Sequence, residues 1–249
     1  MTSGLLNGKL AVVTGGSSGI GAACVRQLAR EGARIVIGYN AGRDRAEALR
    51  AELPGEGHSV AHVPLENPAA HTALAQDLAS RFGRIDALVN SAGRTQRIAH
   101  KDLDSLPPAL FNEILVANVG GSYSITRALI PLLREGSDSV VVNVSSVSAF
   151  TGSGSNIAYC AAKAALDTTV MSLARAFGPG IRFLSVSPAS VDTDFVAGRT
   201  REELQKKAAT TPLGRVVGPE DVAQAVLACI THLRTATGTR IVIDGGFTL

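Results

Sequence analysis

The stretch Lys9-Leu10-Ala11-Val12-Val13-Thr14-Gly15-Gly16-Ser17-Ser18-Gly19-Ile20-Gly21 decides how this chain is read. Lys9 to Thr14 form a short apolar run, and Thr14 to Gly21 a glycine-rich turn, T-G-G-S-S-G-I-G. From Ile20 to Arg30 apolar residues recur at the helical period, with Gly32 placed to cap the helix C-terminus. Strand, glycine turn and helix in that order are the context a dinucleotide fingerprint requires. Glycines let the backbone turn tightly and approach a pyrophosphate, whose charge meets the free N–H groups of a helix N-terminus. Gly15, Ser17, Ser18, Gly19, Ile20 and Gly21 are therefore the expected phosphate cradle, spaced G-x-x-x-G-x-G.

Downstream of the cradle, Arg34 to Tyr39 reads as a second strand and Arg43 to Leu53 as a polar helix. An acid at the end of this strand binds ribose hydroxyls and repels a 2′-phosphate. Here the strand ends Tyr39-Asn40-Ala41-Gly42-Arg43, with no acid before Asp44. Tyr39, Asn40 and Arg43 accordingly favour NADP, with NAD as the alternative.

Further strands are read at 59–64, 85–89, 140–144, 182–186 and 240–244, with helices at 68–82, 106–133, 159–176, 201–209 and 219–233. Seven strands alternating with helices at crossover length predict an α/β fold, a doubly wound parallel sheet with helices on both faces. No repeat or linker interrupts it, so 1–249 reads as one Rossmann-type domain. The cofactor half spans about 1–135 and the catalytic and substrate half about 136–249. Residues 194–217 are polar, basic and Thr-rich, the composition expected of a lid over a substrate site. The small residues Asn90-Ser91-Ala92-Gly93 end the fourth strand, where a ligand approaches the crevice of an open sheet. Asn118 interrupts the apolar pattern ILVANVGG, which signals a kink or a buried hydrogen-bonding role.

Of the 249 residues, 45% are hydrophobic and 18% charged, enough for a sizeable core and too apolar for disorder. The net charge of +3 is scattered, and aromatics are only 4%, which argues against nucleic acid as a partner. The three cysteines lack metal or disulfide spacing, so reduced thiols, no metal site and a cytoplasmic location are expected. The N-terminus reads as no signal peptide, and no apolar run reaches membrane-spanning length.

Tyr159-Cys160-Ala161-Ala162-Lys163 places a tyrosine and a lysine on one helix face, one turn apart. An ammonium so placed is expected to pull the phenol below its ordinary pKa and make it a proton carrier near neutrality. Ser146, at the end of the fifth strand, is placed to hold a carbonyl oxygen beside the phenol.

In their order along the chain, these motifs closely resemble the short-chain dehydrogenase/reductase family, within it the 3-oxoacyl-(acyl-carrier-protein) reductase-like group. The likeness covers T-G-G-S-S-G-I-G, N-S-A-G at 90–93, Asn118, Ser146, Tyr159-x-x-x-Lys163 and S-P-A-x-V-x-T at 187–193. The thirteen residues from Ser146 to Tyr159 select Ser146 over Ser145. The resemblance implies a catalytic set of Asn118, Ser146, Tyr159 and Lys163. Tyr159 would be the general acid or base, Ser146 the carbonyl's hydrogen-bond donor, and Asn118 the anchor of a water relaying protons from Lys163. Lys163 would also hold the nicotinamide ribose, and Val191 and Thr193, after Pro188, the carboxamide. Leu65, Asn90, Ala92 and Gly93 would complete the cofactor site. Departures are Ser91 where asparagine is commoner, Ala189 where glycine is usual, and Pro64-Leu65 where many members carry an adenine-binding aspartate.

The implied function is NADP(H)-dependent interconversion of a carbonyl compound and its secondary alcohol. Arg94, Thr95, Ser148, Phe150, Phe195 and Val196 are the expected substrate contacts, and an acyl thioester is among the substrates implied. The alternative activity is an NAD-dependent secondary-alcohol or sugar dehydrogenase. A non-catalytic nucleotide-binding regulator is the reading from another class, opposed by the intact Ser, Tyr and Lys. The family likeness also implies a homotetramer.

Overall fold

Buried along their whole length, strands β1 (Leu10–Thr14), β4 (Ala87–Asn90), β5 (Ser139–Val144) and β6 (Ile181–Pro188) form the centre of the molecule. Strands covered on both faces read as continuous apolar runs, and the parallel sheet they enter is the reason. The structure is a computed structural model describing residues 4–249. With β2 (Arg34–Tyr39), β3 (Ser59–His62) and β7 (Thr239–Ile243), the sheet is seven-stranded and parallel, in the order β3-β2-β1-β4-β5-β6-β7.

Side-chain alternation divides the core into two layers. Ala11, Val13, Val140, Val142 and Val186 face α1 (Gly19–Arg30) and α9 (Pro219–Thr231), meeting Val25, Leu28, Val222 and Val226. Leu10, Val12, Val141 and Phe183 face the other way, toward Leu74 and Leu78 of α3 (Pro68–Phe82) and Ile125 and Leu129 of α5 (Gly121–Arg134). Each such fully buried side chain contributes about 1.5–3 kcal/mol. Arg182, itself buried, donates to the carbonyls of Cys229, Ile230 and Leu233 at 2.8–3.2 Å, satisfying the C-terminal turn of α9.

The expected 106–133 helix is instead α4 (Pro108–Leu115), a π-helical turn at Val116–Gly120, and α5. Asn118 lies in the π-turn, and its side-chain amide reaches both the Ile114 carbonyl one turn back and the Arg94 carbonyl outside the helix. The helix also runs past Pro131 to Arg134, the proline ring lying on the exposed face. Helix α2 (Arg43–Glu52) follows β2 as expected. The short α6 (Ser148–Thr151) was not foreseen, and α7 (Ile157–Phe177) starts two residues earlier than the pattern suggested. Within 194–217 lies α8 (Arg201–Ala208), opened by a capping box between Thr200 and Glu203. Among the described residues no helix is long and apolar enough to cross a membrane. The three cysteines are buried free thiols, and burial pushes Cys24 up to about 12 and Cys229 up to about 11.

Candidate active site

Strand order reverses at β1, which pairs with β2 on one side and β4 on the other, so the loops beyond their C-terminal ends diverge. A ligand crevice is expected there, and the structure has a cleft of about 1890 Å³ at that place. From the β2 and β3 side it runs past Asn40 and Leu65, across the glycine turn and Ala92, to Ser146, Tyr159 and Pro188 beyond β5 and β6.

The glycine turn builds the middle of this cleft. Gly15 has φ +62°, and a Cβ there would lie 2.9 Å from the Ala92 Cα. At Gly21 a Cβ would strike the Gly15 carbonyl, so only glycine lets α1 begin this close to the turn. Thr14 Oγ1 accepts from the N–H groups of Ser91 and Ala92, both at 3.2 Å, which locks the two loops together. Ser18 precedes α1 in extended conformation without a side-chain cap, and the first turn holds no acid. The N-terminal N–H groups of α1 are thus presented to the cleft beside Ser17, Ser18, Gly19 and Ile20. An open helix N-terminus in a glycine cradle fits the pyrophosphate of a dinucleotide. Across the cleft, Thr193 Cγ2 would be 3.4 Å from a Cβ at Gly19.

At the β2 end two expected residues lie elsewhere. Tyr39 packs its ring on His62, centroids 5.5 Å apart, and Arg43 sits on the exposed start of α2; neither lines the cleft. Arg45 does, with Asn40, Gly42 and Ser17. A Cβ at Gly42 would be 2.6 Å from Arg45 Nη2 and 2.8 Å from Ser17 Oγ, so the missing side chain makes room for both. Helical phase is the cause: the third residue of α2 turns to the sheet end while the first points to solvent. Leu65 lines the cleft and is backed by Gly121, where a Cβ would fall 2.8 Å from Leu65 Cβ. Ala189 needs no strained backbone, because no described residue other than glycine has positive φ.

At the β5 and β6 end, Ser146, Tyr159 and Lys163 share the cleft. Ser146 Oγ accepts from the Ser148 N–H at 3.1 Å and lies 3.1 Å from Ser148 Oγ. Ser145 turns its hydroxyl toward the Lys163 carbonyl instead, at 3.5 Å. Lys163 donates from Nζ to the Val144 carbonyl at 2.7 Å, and its ammonium lies 5.6 Å from the Tyr159 ring centroid. Only 5% of Lys163 is exposed, and burial brings its pKa down to about 8, against a smaller upward pull from Asp167.

The expected lowering of the tyrosine is not what this environment produces. Burial raises the Tyr159 phenol well above its ordinary value; the Ser146 hydroxyl and the Arg199 guanidinium oppose it more weakly. Loss of water around the ring outweighs neighbouring charge. The phenol therefore stays protonated at neutral pH.

The buried Asn156 positions this tyrosine. Its Oδ1 accepts from the Tyr159 N–H at 2.7 Å, capping α7, while Nδ2 donates to Thr95 Oγ1 at 3.2 Å and the Gln96 carbonyl at 2.7 Å. One side chain thus ties the helix bearing Tyr159 and Lys163 to the loop after β4. Asn118 donates to the carbonyls of Arg94 and Ile114, both at 2.8 Å, and its buried Oδ1 has no partner. Gly93 is required beside it, since a Cβ there would lie 2.6 Å from that Oδ1.

The structure brings Arg94, Ser148, Phe195, Val191 and Thr193 to the same cleft. The Phe195 ring lies 6.0 Å from that of Tyr159. Phe150 does not join them: it is 42% exposed, with Arg240 stacked 4.9 Å from its centroid, because α6 turns it outward. Asn90 is buried beneath the cleft, donating to Thr126 Oγ1 of α5 at 3.0 Å and Asn143 Oδ1 of β5 at 2.8 Å, so its amide nitrogen braces strand and helix rather than facing a ligand. Arg45 and Asn156 were missed by sequence reasoning. For Asn156 the signal was an asparagine three residues before Tyr159, the position of an N-cap.

The chain matches the family model described as Enoyl-(Acyl carrier protein) reductase over residues 15–248. It is 37% identical over 243 residues to a protein described as a ketoacyl reductase of the granaticin polyketide synthase of Streptomyces violaceoruber, covering 95% of both chains. It is 34% identical over 253 residues to an L-rhamnose 1-dehydrogenase (NAD(P)(+)) of Azotobacter vinelandii, covering 97% of both. Among solved structures it resembles a short chain dehydrogenase from Burkholderia cenocepacia J2315 in complex with NADP. That likeness has a TM-score of 0.89 at 31% identity and covers 98% of this chain and 99% of the other. The chain is an oxidoreductase and belongs to the short-chain dehydrogenase/reductase family.

Proposed function

We propose that this oxidoreductase interconverts a carbonyl compound and its secondary alcohol with NADP(H), Tyr159 acting as general acid in the reductive direction. The observation carrying the reading is the convergence of Ser146, Tyr159 and Lys163 on a cleft whose other end holds Arg45 and Asn40. When bound, the nicotinamide supplies hydride; the chain supplies positions, charge and the proton. Ser146 donates a hydrogen bond to the carbonyl oxygen, and Tyr159 passes its phenolic proton to that oxygen as negative charge develops. A phenol kept protonated by burial suits reduction. Lys163 holds the ribose hydroxyls and carries positive charge near the tyrosine. Asn118, through its unpartnered Oδ1, anchors a water on the route by which the proton is replaced. Val191 and Thr193 hold the carboxamide, and residues 194–217 cover the substrate.

NADP is favoured because Arg45 lines the cleft beside Ser17, and no acid follows β2 before Asp44. NAD-dependent oxidation of an alcohol or sugar is the second reading, supported by the likeness to a dehydrogenase named for both cofactors. Titration with NADPH and NADH, read by nicotinamide fluorescence, decides between them. Arg45→Ala is expected to weaken NADPH by about tenfold, which is about 1.4 kcal/mol, with NADH and Arg43→Ala both unaffected. A loss confined to Arg43→Ala would restore the residue first expected.

The proposed homotetramer is supported by exposed Val116, Tyr123, Ile157 and Met171 along the helices bearing Asn118 and Tyr159. Light scattering after size-exclusion chromatography should give four times the chain mass of 25.6 kDa. A monomer at micromolar concentration would remove that proposal.

A further inference from the structure

We propose that Arg199 recognises an anionic oxygen group, carboxylate or phosphate, on the substrate, so that the carbonyl reduced at Tyr159 belongs to an oxo acid or an oxoalkyl phosphate. This deepens the reductase reading above and rests on it.

Three arginines approach the substrate end of the cleft, and their pairing differs. Arg94 reaches Glu113 at 3.0 Å and Glu66 at 3.7 Å. Arg97 forms a two-pronged contact with Glu203, both arms at 3.1 Å. Arg199, half-buried between β6 and α8, has no carboxylate within 4 Å among the described residues. The two carboxylates whose charges act on it are already engaged, Asp192 by Arg201 at 3.2 Å and Glu203 by Arg97. Its guanidinium donates once, from Nη2 to the Val191 carbonyl at 2.9 Å, and its Nε is buried with no partner. That bond aims the side chain into the cleft, where it lies with Ser146, Tyr159 and Phe195.

A guanidinium removed from water without a counter-charge is costly, and the cost persists only where something offsets it. Its planar fork suits a carboxylate or phosphate held by two N–H groups. Lys207 also lines the cleft, whereas Lys206 pairs with Glu202 at 2.8 Å. The Arg199 charge also favours the ionised form of Tyr159, so its partner sits within reach of the reacting centre. Neutralised Arg94 and Arg97 shape the wall; unneutralised Arg199 is the one left to select.

The test uses the full chain with NADPH and three matched sets: 3-oxobutanoate, 4-oxopentanoate and 5-oxohexanoate, their methyl esters, and oxoalkyl phosphates of similar length. Wild-type enzyme should prefer at least one anionic series over the esters by about 10- to 100-fold in kcat/KM, the range a charge-assisted hydrogen bond spans. The series preferred tells carboxylate from phosphate. Arg199→Met should lose that preference mainly through KM while NADPH affinity is kept, and Arg199→Lys should recover part of it. Equal use of acids, phosphates and esters by wild type overturns the proposal and leaves the reductase reading standing. So does weakened NADPH binding in Arg199→Met, which would put the guanidinium on the cofactor. Failure to reduce any carbonyl while NADPH binds overturns the reductase reading and this inference with it.

Discussion

Replacing Tyr159 by phenylalanine is expected to lower kcat by about 10³-fold, within the range of a general acid's contribution, while NADPH affinity and folding are kept. The substitution removes one oxygen and nothing else. The ring still packs beside Phe195 and under the Lys163 ammonium. Ser146 keeps its bond from the Ser148 N–H, so the lost hydroxyl leaves no new buried orphan. Reduction under single-turnover conditions separates the chemical step from binding and release. A variant retaining a tenth or more of the wild-type rate would place the acid elsewhere, and Ser146 would be examined next. An unchanged rate would also revive the reading of a nucleotide-binding protein without chemistry.

How far the sequence could be read depended on which physical effect decided each position. The strands LAVVT and VVVNV were legible because burial on both faces leaves a run of apolar residues that no other element of that length shares. The glycine turn was legible for a related reason, since close backbone approach at Gly15 and Gly21 excludes any other residue. What failed was side-chain direction. Arg43 and Arg45 are chemically identical, and only the first residue of α2 determines which faces the cleft. Phe150 looked like a pocket wall until α6 turned it toward Arg240. Tyr39 and Asn90 stand at strand ends, where one residue's rotation separates a ligand contact from a brace.

The sign of the tyrosine shift was missed for a different reason. Helical spacing tells that Lys163 is near Tyr159; it does not tell how much water surrounds either. In the folded chain both are desolvated, and desolvation moves the two groups in opposite directions, the phenol up and the ammonium down. Each change favours the uncharged form. The π-turn at Asn118 shows the same limit: the interior amide flagged an irregularity, but its bond to the Arg94 carbonyl depends on a loop distant in sequence.

Lys163→Met turns that desolvation into a measurable quantity. Activity is expected to fall by about 10²-fold or more, as for removal of a charge preorganised at the reacting centre. Stability should respond through its dependence on pH. The unfolded chain keeps the lysine protonated up to its ordinary value near 10.5, whereas the folded chain releases the proton near 8. Between those values the unfolded state binds more protons, so this residue makes wild-type stability rise with pH. Methionine has no such dependence. Urea unfolding at intervals from pH 7 to pH 10 should therefore show wild type gaining on Lys163→Met by on the order of 2 kcal/mol. Taking the difference between the two proteins cancels every other titrating group to first order. The range ends where unfolded tyrosines begin to ionise, above which half-buried Tyr159 works in the reverse sense. At neutral pH the variant is relieved of a buried charge but leaves the Val144 carbonyl without its donor, so the two effects oppose each other. The slope with pH, not the value at one pH, is thus the diagnostic. A flat difference would mean that the ammonium is solvated or fully compensated in the folded chain.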